Sequence, residues 1–267
     1  MNYINAIIFG LIQGLTEFLP VSSSGHSVIL HNFISVALEN ELAFDVSLHA
    51  GTLLALVIFF RKDISGLLRF WFLSLRGEKS DLSRISWLII LGTVPAGLAG
   101  YFWSDLIEFV FRSILVVAVM LIVIGILFLI VEAKGKKNKE MKELDWKSAL
   151  IIGLAQALAL IPGTSRSGIT IIAGMATGLK REVAVRFSFL LSIPIILGAV
   201  IKEAPQIIGA NLILDDYLII FAGFMSAFIF GWLAIKYFLA FSQKYTLKAF
   251  AIYRFILAVV LLFYIFY

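Results

Sequence analysis

The sequence predicts an all-α polytopic membrane protein, built as an inverted-topology repeat in which each half is a re-entrant helix hairpin plus three transmembrane helices. Three observations predict it. First, 61% of the 267 residues are hydrophobic and only 15% are charged, with a mean hydropathy of +1.01; soluble domains carry about 25% charged residues. Second, apolar runs recur that are long enough to cross a hydrocarbon core of roughly 30 Å, which takes about 20 residues each. Third, two further apolar stretches, residues 4–37 and 148–179, are broken in the middle by Pro, Ser and Gly and resemble each other.

The full spans lie near residues 44–60, 85–102, 114–131, 183–201, 217–238 and 247–267. Each half of a broken stretch is too short to cross, and suits a re-entrant helix–turn–helix whose irregular backbone is shielded by protein. AIIFGLIQGLTEFLPVSSSGHSVIL (6–30) aligns with ALIIGLAQALALIPGTSRSGITII (149–172), pairing Gly10 with Gly153, Gln13 with Gln156, Pro20 with Pro162 and Gly25 with Gly168. The chain then divides into repeat 1 (residues 1–133), a cytoplasmic linker (134–147) and repeat 2 (148–267), forming a single membrane domain. Three spans per repeat is odd, so the second repeat enters from the opposite face and both broken tips meet near the midplane. Residues 1–10 contain no Lys or Arg, and Gln13 and Glu17 interrupt the next apolar segment, so no secretory signal peptide is expected.

Charge placement tests this topology. Loops 61–84, 132–147, 180–186 and 236–248, all on one side, hold 18 of the 22 basic residues. The other side carries Glu39, Glu41, Asp105, Glu108, Glu203, Asp215 and Asp216 against Arg112 and Lys202. The positive-inside rule puts the first side in the cytoplasm and both termini outside. It also accounts for the net charge of +5 without nucleic acid, which is not an expected partner. With no cysteine, structural disulfides and thiolate metal sites are excluded.

The chemistry sits at the two tips. In the first, Gln13 and Glu17 are four apart and share a helix face. After Pro20 comes Ser22-Ser23-Ser24-Gly25-His26, where the serines are a strong N-cap signal for a second short helix. The second tip, Pro162-Gly163-Thr164-Ser165-Arg166-Ser167-Gly168, is another N-cap and carries a guanidinium. Helix N-termini offer free N–H groups and a positive dipole end to a phosphate, and an Arg fork donates two parallel hydrogen bonds to it. A charge at the bilayer centre costs about 2.5–3.5 kcal/mol on insertion scales, so Glu17 and Arg166 read as functional. Simple mutual pairing of Glu17 with Arg166 is the structural alternative, and it leaves the serines and His26 unexplained. Asp45 and His49 share a face of the first span as a pair that supports the site, and Arg254 in the last span is either structural or a contact to lipid phosphate.

QGLTEFLPVSSSGH (13–26) and PGTSRSG (162–168), with FDVSLHAGT (44–52), resemble the signature motifs of the bacitracin-resistance, undecaprenyl-pyrophosphate phosphatase family, over the whole chain. The resemblance implies hydrolysis of a polyprenyl pyrophosphate, at a site opening outward from the plasma membrane, to the monophosphate and phosphate. That reaction recycles the lipid carrier of cell-wall polymers, and it typically uses a divalent cation, Mg²⁺ or Ca²⁺. Catalytic candidates are Ser23, His26, Glu17 and Arg166; Gln13, Ser22, Ser24, Gly25, Gly163, Thr164, Ser165, Ser167 and Gly168 are candidates to bind the substrate. The chain departs from the family's two-carboxylate form at Gln13, so a metal site rests mainly on Glu17 and the substrate's phosphates. Ser23 attacks with His26 or Glu17 as base, or His26 is itself the nucleophile. Membrane lipid is the expected surrounding, and a homodimer is compatible with the chain. A phospholipid-carrier transporter or flippase without hydrolysis is the alternative, since broken helices at the midplane also mark transporters. The type 2 phosphatidic acid phosphatase pattern needs a later His, and His26, His31 and His49 all precede Arg166.

Overall fold

The computed structural model describes residues 2–34, 41–134, 137–208 and 212–266; Glu39 of the outer loop, Lys136 of the linker and Tyr267 of the last span lie outside the described residues. Among the described residues the chain is helical and has no strand. The helices are α1 (Asn2–Phe18), α2 (Ser23–Phe33), α3 (Glu41–Phe59), α4 (Arg61–Ser74), α5 (Asp81–Phe111), α6 (Ile114–Ala133), α7 (Trp146–Leu158), α8 (Arg166–Ala176), α9 (Arg181–Ile208), α10 (Leu214–Lys244) and α11 (Lys248–Phe266). Six are long and apolar enough to cross a membrane, namely α3, α5, α6, α9, α10 and α11, and they fall on the expected spans. The two broken stretches become the short pairs α1/α2 and α7/α8.

Local chemistry breaks those pairs. Pro20 and Pro162 have no N–H to continue a helix, and the next helix restarts from a serine cap. Ser22 Oγ accepts from the Gly25 amide at 3.2 Å, and Ser165 Oγ accepts from the Gly168 amide at 3.1 Å.

Residues 61–74 belong to the loop read as basic and cytoplasmic, yet they form α4. Ile64, Leu67 and Trp71 recur at helical spacing while Arg61, Lys62 and Arg69 stay exposed, the amphipathic pattern of a surface helix. With α3, α5 and α9, α4 borders an apolar cavity of about 730 Å³.

Small residues set how the helices meet. α1 packs on α10, where a Cβ added at Gly10 would lie 2.3 Å from the Gly223 carbonyl oxygen, and one at Gly14 2.7 Å from that of Ala227. α7 packs on α5 in the same manner: a Cβ at Gly153 would lie 2.5 Å from the Gly92 oxygen. Gly10 and Gly153 are partners in the sequence alignment. Such close crossings replace the hydrophobic drive that helices lack inside lipid. α3 on α10, α11 on α6 and α3 on α9 are the other extensive contacts between the halves.

Gly10→Val therefore forces backbone against backbone. Overpacking of about 1–3 kcal/mol is expected to lower the apparent Tm in detergent by about 5–10 °C. Gly97, with nothing within 4 Å of an added Cβ, is the control site. Equal Tm values for Gly10→Val and Gly97→Val in a thermal shift assay would refute this account of the crossing.

Candidate active site

The end of α1 and the starts of α2 and α8 converge on Glu17, which is 7% exposed. Its Oε2 accepts from Ser23 Oγ at 2.6 Å and from Gln13 Nε2 at 3.0 Å. Its Oε1 accepts from Arg166 Nη2 at 2.6 Å. A hydroxyl, a carboxylate and a guanidinium from three helices are thus in direct contact, although 149 residues separate Glu17 from Arg166. Arg166 Nη1 is buried and has no hydrogen-bond partner among the described residues; nor does Thr164 Oγ1. Buried polar atoms left unpaired are costly, and Arg166 Nη1 is such a donor on the guanidinium that meets Glu17.

Gln13 Nε2 also lies 3.1 Å from His49 Nδ1, and His49 Nδ1 is 3.9 Å from Glu17 Oε2. The amide therefore turns its NH₂ to the carboxylate, a role an ionised second carboxylate cannot fill. Asp45 is paired with His31 at 3.1 Å, while its expected partner His49 sits against Gln13. Gln13, Ser23, Ser27, Asp45 and His49 line a small cavity of about 30 Å³, room for one or two waters beside Ser23.

The two N-caps match in detail. Ser22 has φ 77°, ψ 92° and Ser165 has φ 71°, ψ 108°. They are the positive-φ residues other than glycine among the described residues. Ser22 and Ser24 hydroxyls are 3.3 Å apart, as are those of Ser165 and Ser167. Helix geometry leaves the amides of Ser23, Ser24, Arg166 and Ser167 without an intrahelical acceptor. Ser24 is exposed, Gly25 and Gly168 are buried, and Gly163 turns with φ 90°. Ser167 Oγ donates to the Leu19 carbonyl at 3.2 Å, tying the second tip to the first.

His26 faces another way. Its Nδ1 is 2.7 Å from the Ser22 carbonyl oxygen, so that nitrogen carries the proton, and its Nε2 accepts from Tyr253 Oη at 2.7 Å. The rings stack at 5.8 Å with 8° between planes. Of the two bases expected beside Ser23, Glu17 is the one in contact with it. Arg254 is structural in its contacts: it binds backbone carbonyls of both tips. Tyr253 carried no signal in the sequence, being one more tyrosine in an apolar span, and His49 was legible only as a polar residue on the face that carries Asp45.

A family model described as bacitracin resistance protein BacA matches residues 6–260. A protein of Rubrobacter xylanophilus named undecaprenyl-diphosphatase is 44% identical over 97% of this chain and 96% of its own length. Undecaprenyl-diphosphatase 1 of Pseudoalteromonas translucida is 45% identical over 97% of both chains. The undecaprenyl-diphosphatase of Alteromonas mediterranea is 42% identical over the whole of both.

Proposed function

The chain belongs to the bacitracin resistance protein BacA family, and from that premise we propose that it hydrolyses undecaprenyl diphosphate to the monophosphate and inorganic phosphate, recycling the lipid carrier of cell-wall polymers. The observation that carries this reading is the contact from the Ser23 hydroxyl through the Glu17 carboxylate to the Arg166 guanidinium, each link 2.6 Å.

Ser23 Oγ attacks the terminal phosphorus while its proton passes to Glu17 Oε2. The bond from that phosphorus to the bridging oxygen breaks, undecaprenyl monophosphate leaves with the electron pair, and a seryl phosphate remains. Water then attacks the same phosphorus. Glu17 returns its proton to Oγ, and both of the water's protons depart with the phosphate. Arg166 Nη1 and the first-turn amides of α2 and α8 offset charge on the transferring phosphoryl oxygens, which is where most of the catalysis arises. A carrier without hydrolysis needs the anion donors but has no use for a hydroxyl held on a buried carboxylate.

The donor set does not suit a protein-held divalent cation. Both Glu17 oxygens are committed to donors, and no group of three or more His, Asp or Glu with ligand geometry exists among the described residues. Mg²⁺ or Ca²⁺ is instead proposed to enter as the counter-ion of the diphosphate.

An inverted repeat with an outward-opening site completes the proposal. Its support is the charge asymmetry of the loops, the matched caps at Ser22 and Ser165, and the reciprocal crossings of α1 on α10 and α7 on α5.

The test is phosphate release from undecaprenyl or farnesyl diphosphate, by purified protein and by right-side-out vesicles given substrate from outside. Release is expected in both, to require the cation, and to stop with chelator, while Mg²⁺ titrated into lipid-free protein shows no binding by calorimetry. Tight Mg²⁺ binding without lipid would reverse the cation assignment. Release by purified protein but not by vesicles would place the site inward. Lipid binding with no release under any divalent cation would make the carrier reading the correct one.

A further inference from the structure

Arg254 lies in α11 next to the His26 partner Tyr253, and it is 0% exposed. Nη1 donates to the Pro20 carbonyl at 3.1 Å. Nη2 donates to the carbonyls of Gly163 at 2.7 Å, Thr164 at 3.2 Å and Met120 at 3.2 Å. Nε donates to that of Leu121 at 3.2 Å. Every one of these acceptors is a backbone oxygen, and they come from the first tip, the second tip and α6.

Their place in the sequence is informative. Pro20 stands two residues before the cap Ser22, and Gly163 and Thr164 immediately precede the cap Ser165. Those caps are the two left-handed non-glycine residues among the described residues, a conformation that costs on the order of 1–3 kcal/mol and persists only where the surroundings over-determine it. One guanidinium fork reaches both turns because it is planar and rigid and carries five N–H donors. The residue after the first cap is Ser23 and the residue after the second is Arg166.

We infer that Arg254 is a positioning residue for the hydrolysis: by tying the Pro20 carbonyl to those of Gly163 and Thr164 it fixes the separation of the two turns, and with it the approach of Ser23 and Arg166 across Glu17. Only the kinetic readout of this inference rests on the phosphatase reading. A displacement of about 1 Å at a reacting group lowers rate on the order of 100-fold.

Arg254→Met is expected to lower kcat about 100-fold and Arg254→Lys about 10-fold, with KM within about threefold of wild type. In a Ser23→Ala background, Arg254→Lys is expected to add no further loss, because residues acting as a unit are not additive. A second readout needs no activity. The chain has no cysteine, so spin labels at Phe33→Cys and Ala176→Cys report the exposed ends of α2 and α8. The distance distribution between them is expected to be single and narrow with Arg254, and broadened or shifted with Arg254→Met. An unchanged distribution, or a loss explained wholly by fewer folded molecules at wild-type kcat, would overturn the inference. Should wild-type protein release no phosphate, the spin-label distances alone decide, and that failure belongs to the hydrolysis reading.

Discussion

Ser23→Ala is expected to lower kcat for diphosphate hydrolysis by at least about 100-fold, some 2.7 kcal/mol in the barrier, with KM close to wild type. The hydroxyl points at the carboxylate that would take its proton, at 2.6 Å, and lines the small cavity from which water can reach the same phosphorus. Removing Oγ deletes the nucleophile while leaving Arg166 and the first-turn amides to bind phosphate, so the loss falls on turnover. Wild-type enzyme quenched in acid is expected to yield a phosphorylated seryl peptide around residue 23, and Ser23→Ala none. His26→Gln separates the two assignments. His26 is bound by the Ser22 carbonyl and the Tyr253 hydroxyl rather than by Ser23, so its loss is expected to be the smaller. A Ser23→Ala enzyme within tenfold of wild type beside a dead His26→Gln would make His26 the nucleophile.

Much of this site is legible in the sequence, because it is made of residues that membrane physics penalises. Glu17 and Arg166 stand in apolar surroundings, where a charge needs a reason, and the serine runs after Pro20 and ahead of Ser167 announce caps through their competition for backbone N–H groups. Composition and span length likewise sufficed for the six crossing helices. What stayed hidden depended on side-chain direction. Ser23 and His26 are three apart and share a face by spacing, yet the His26 ring turns back to the carbonyl of Ser22 and is held there by Tyr253, from α11. No periodicity carries that contact across 227 residues. The direction of the Gln13 amide is likewise invisible in the sequence: its NH₂ faces Glu17, because a buried carboxylate recruits donors. α4 is hidden for a different reason: its basic residues make the segment look like a charged loop, although its apolar stripe at Ile64, Leu67 and Trp71 stands at helical spacing. The left-handed turn at Ser22 and Ser165 has no signature in residue type, since serine seldom adopts it without outside support.

Arg166→Lys is expected to retain at most a few per cent of wild-type kcat/KM, and Arg166→Met less than one per cent. A lysine keeps the charge and can still reach Glu17, but its single nitrogen cannot serve the carboxylate and a phosphoryl oxygen from the two ends of a planar fork. In the present geometry that division matters: Nη2 is spent on Glu17 at 2.6 Å, while Nη1 is buried and free to meet a phosphoryl oxygen. Losing one preorganised donor of this kind costs about 2.7–4 kcal/mol of transition-state stabilisation. The same contact has a structural component. Arg166→Met leaves Glu17 buried without its cation, and breaking such a pair costs about 3–5 kcal/mol, so Tm is expected to fall by roughly 10 °C. Glu17→Gln combined with Arg166→Met removes both charges, and stability is expected to return toward wild type because the isolated buried charge is gone. Activity is expected to stay absent, since neither the proton acceptor nor the phosphate donor is restored. That divergence between stability and turnover is what separates a catalytic pair from one that merely neutralises itself inside the membrane. A double variant that regained both Tm and phosphate release would reduce Glu17 and Arg166 to a structural ion pair and move the chemistry elsewhere.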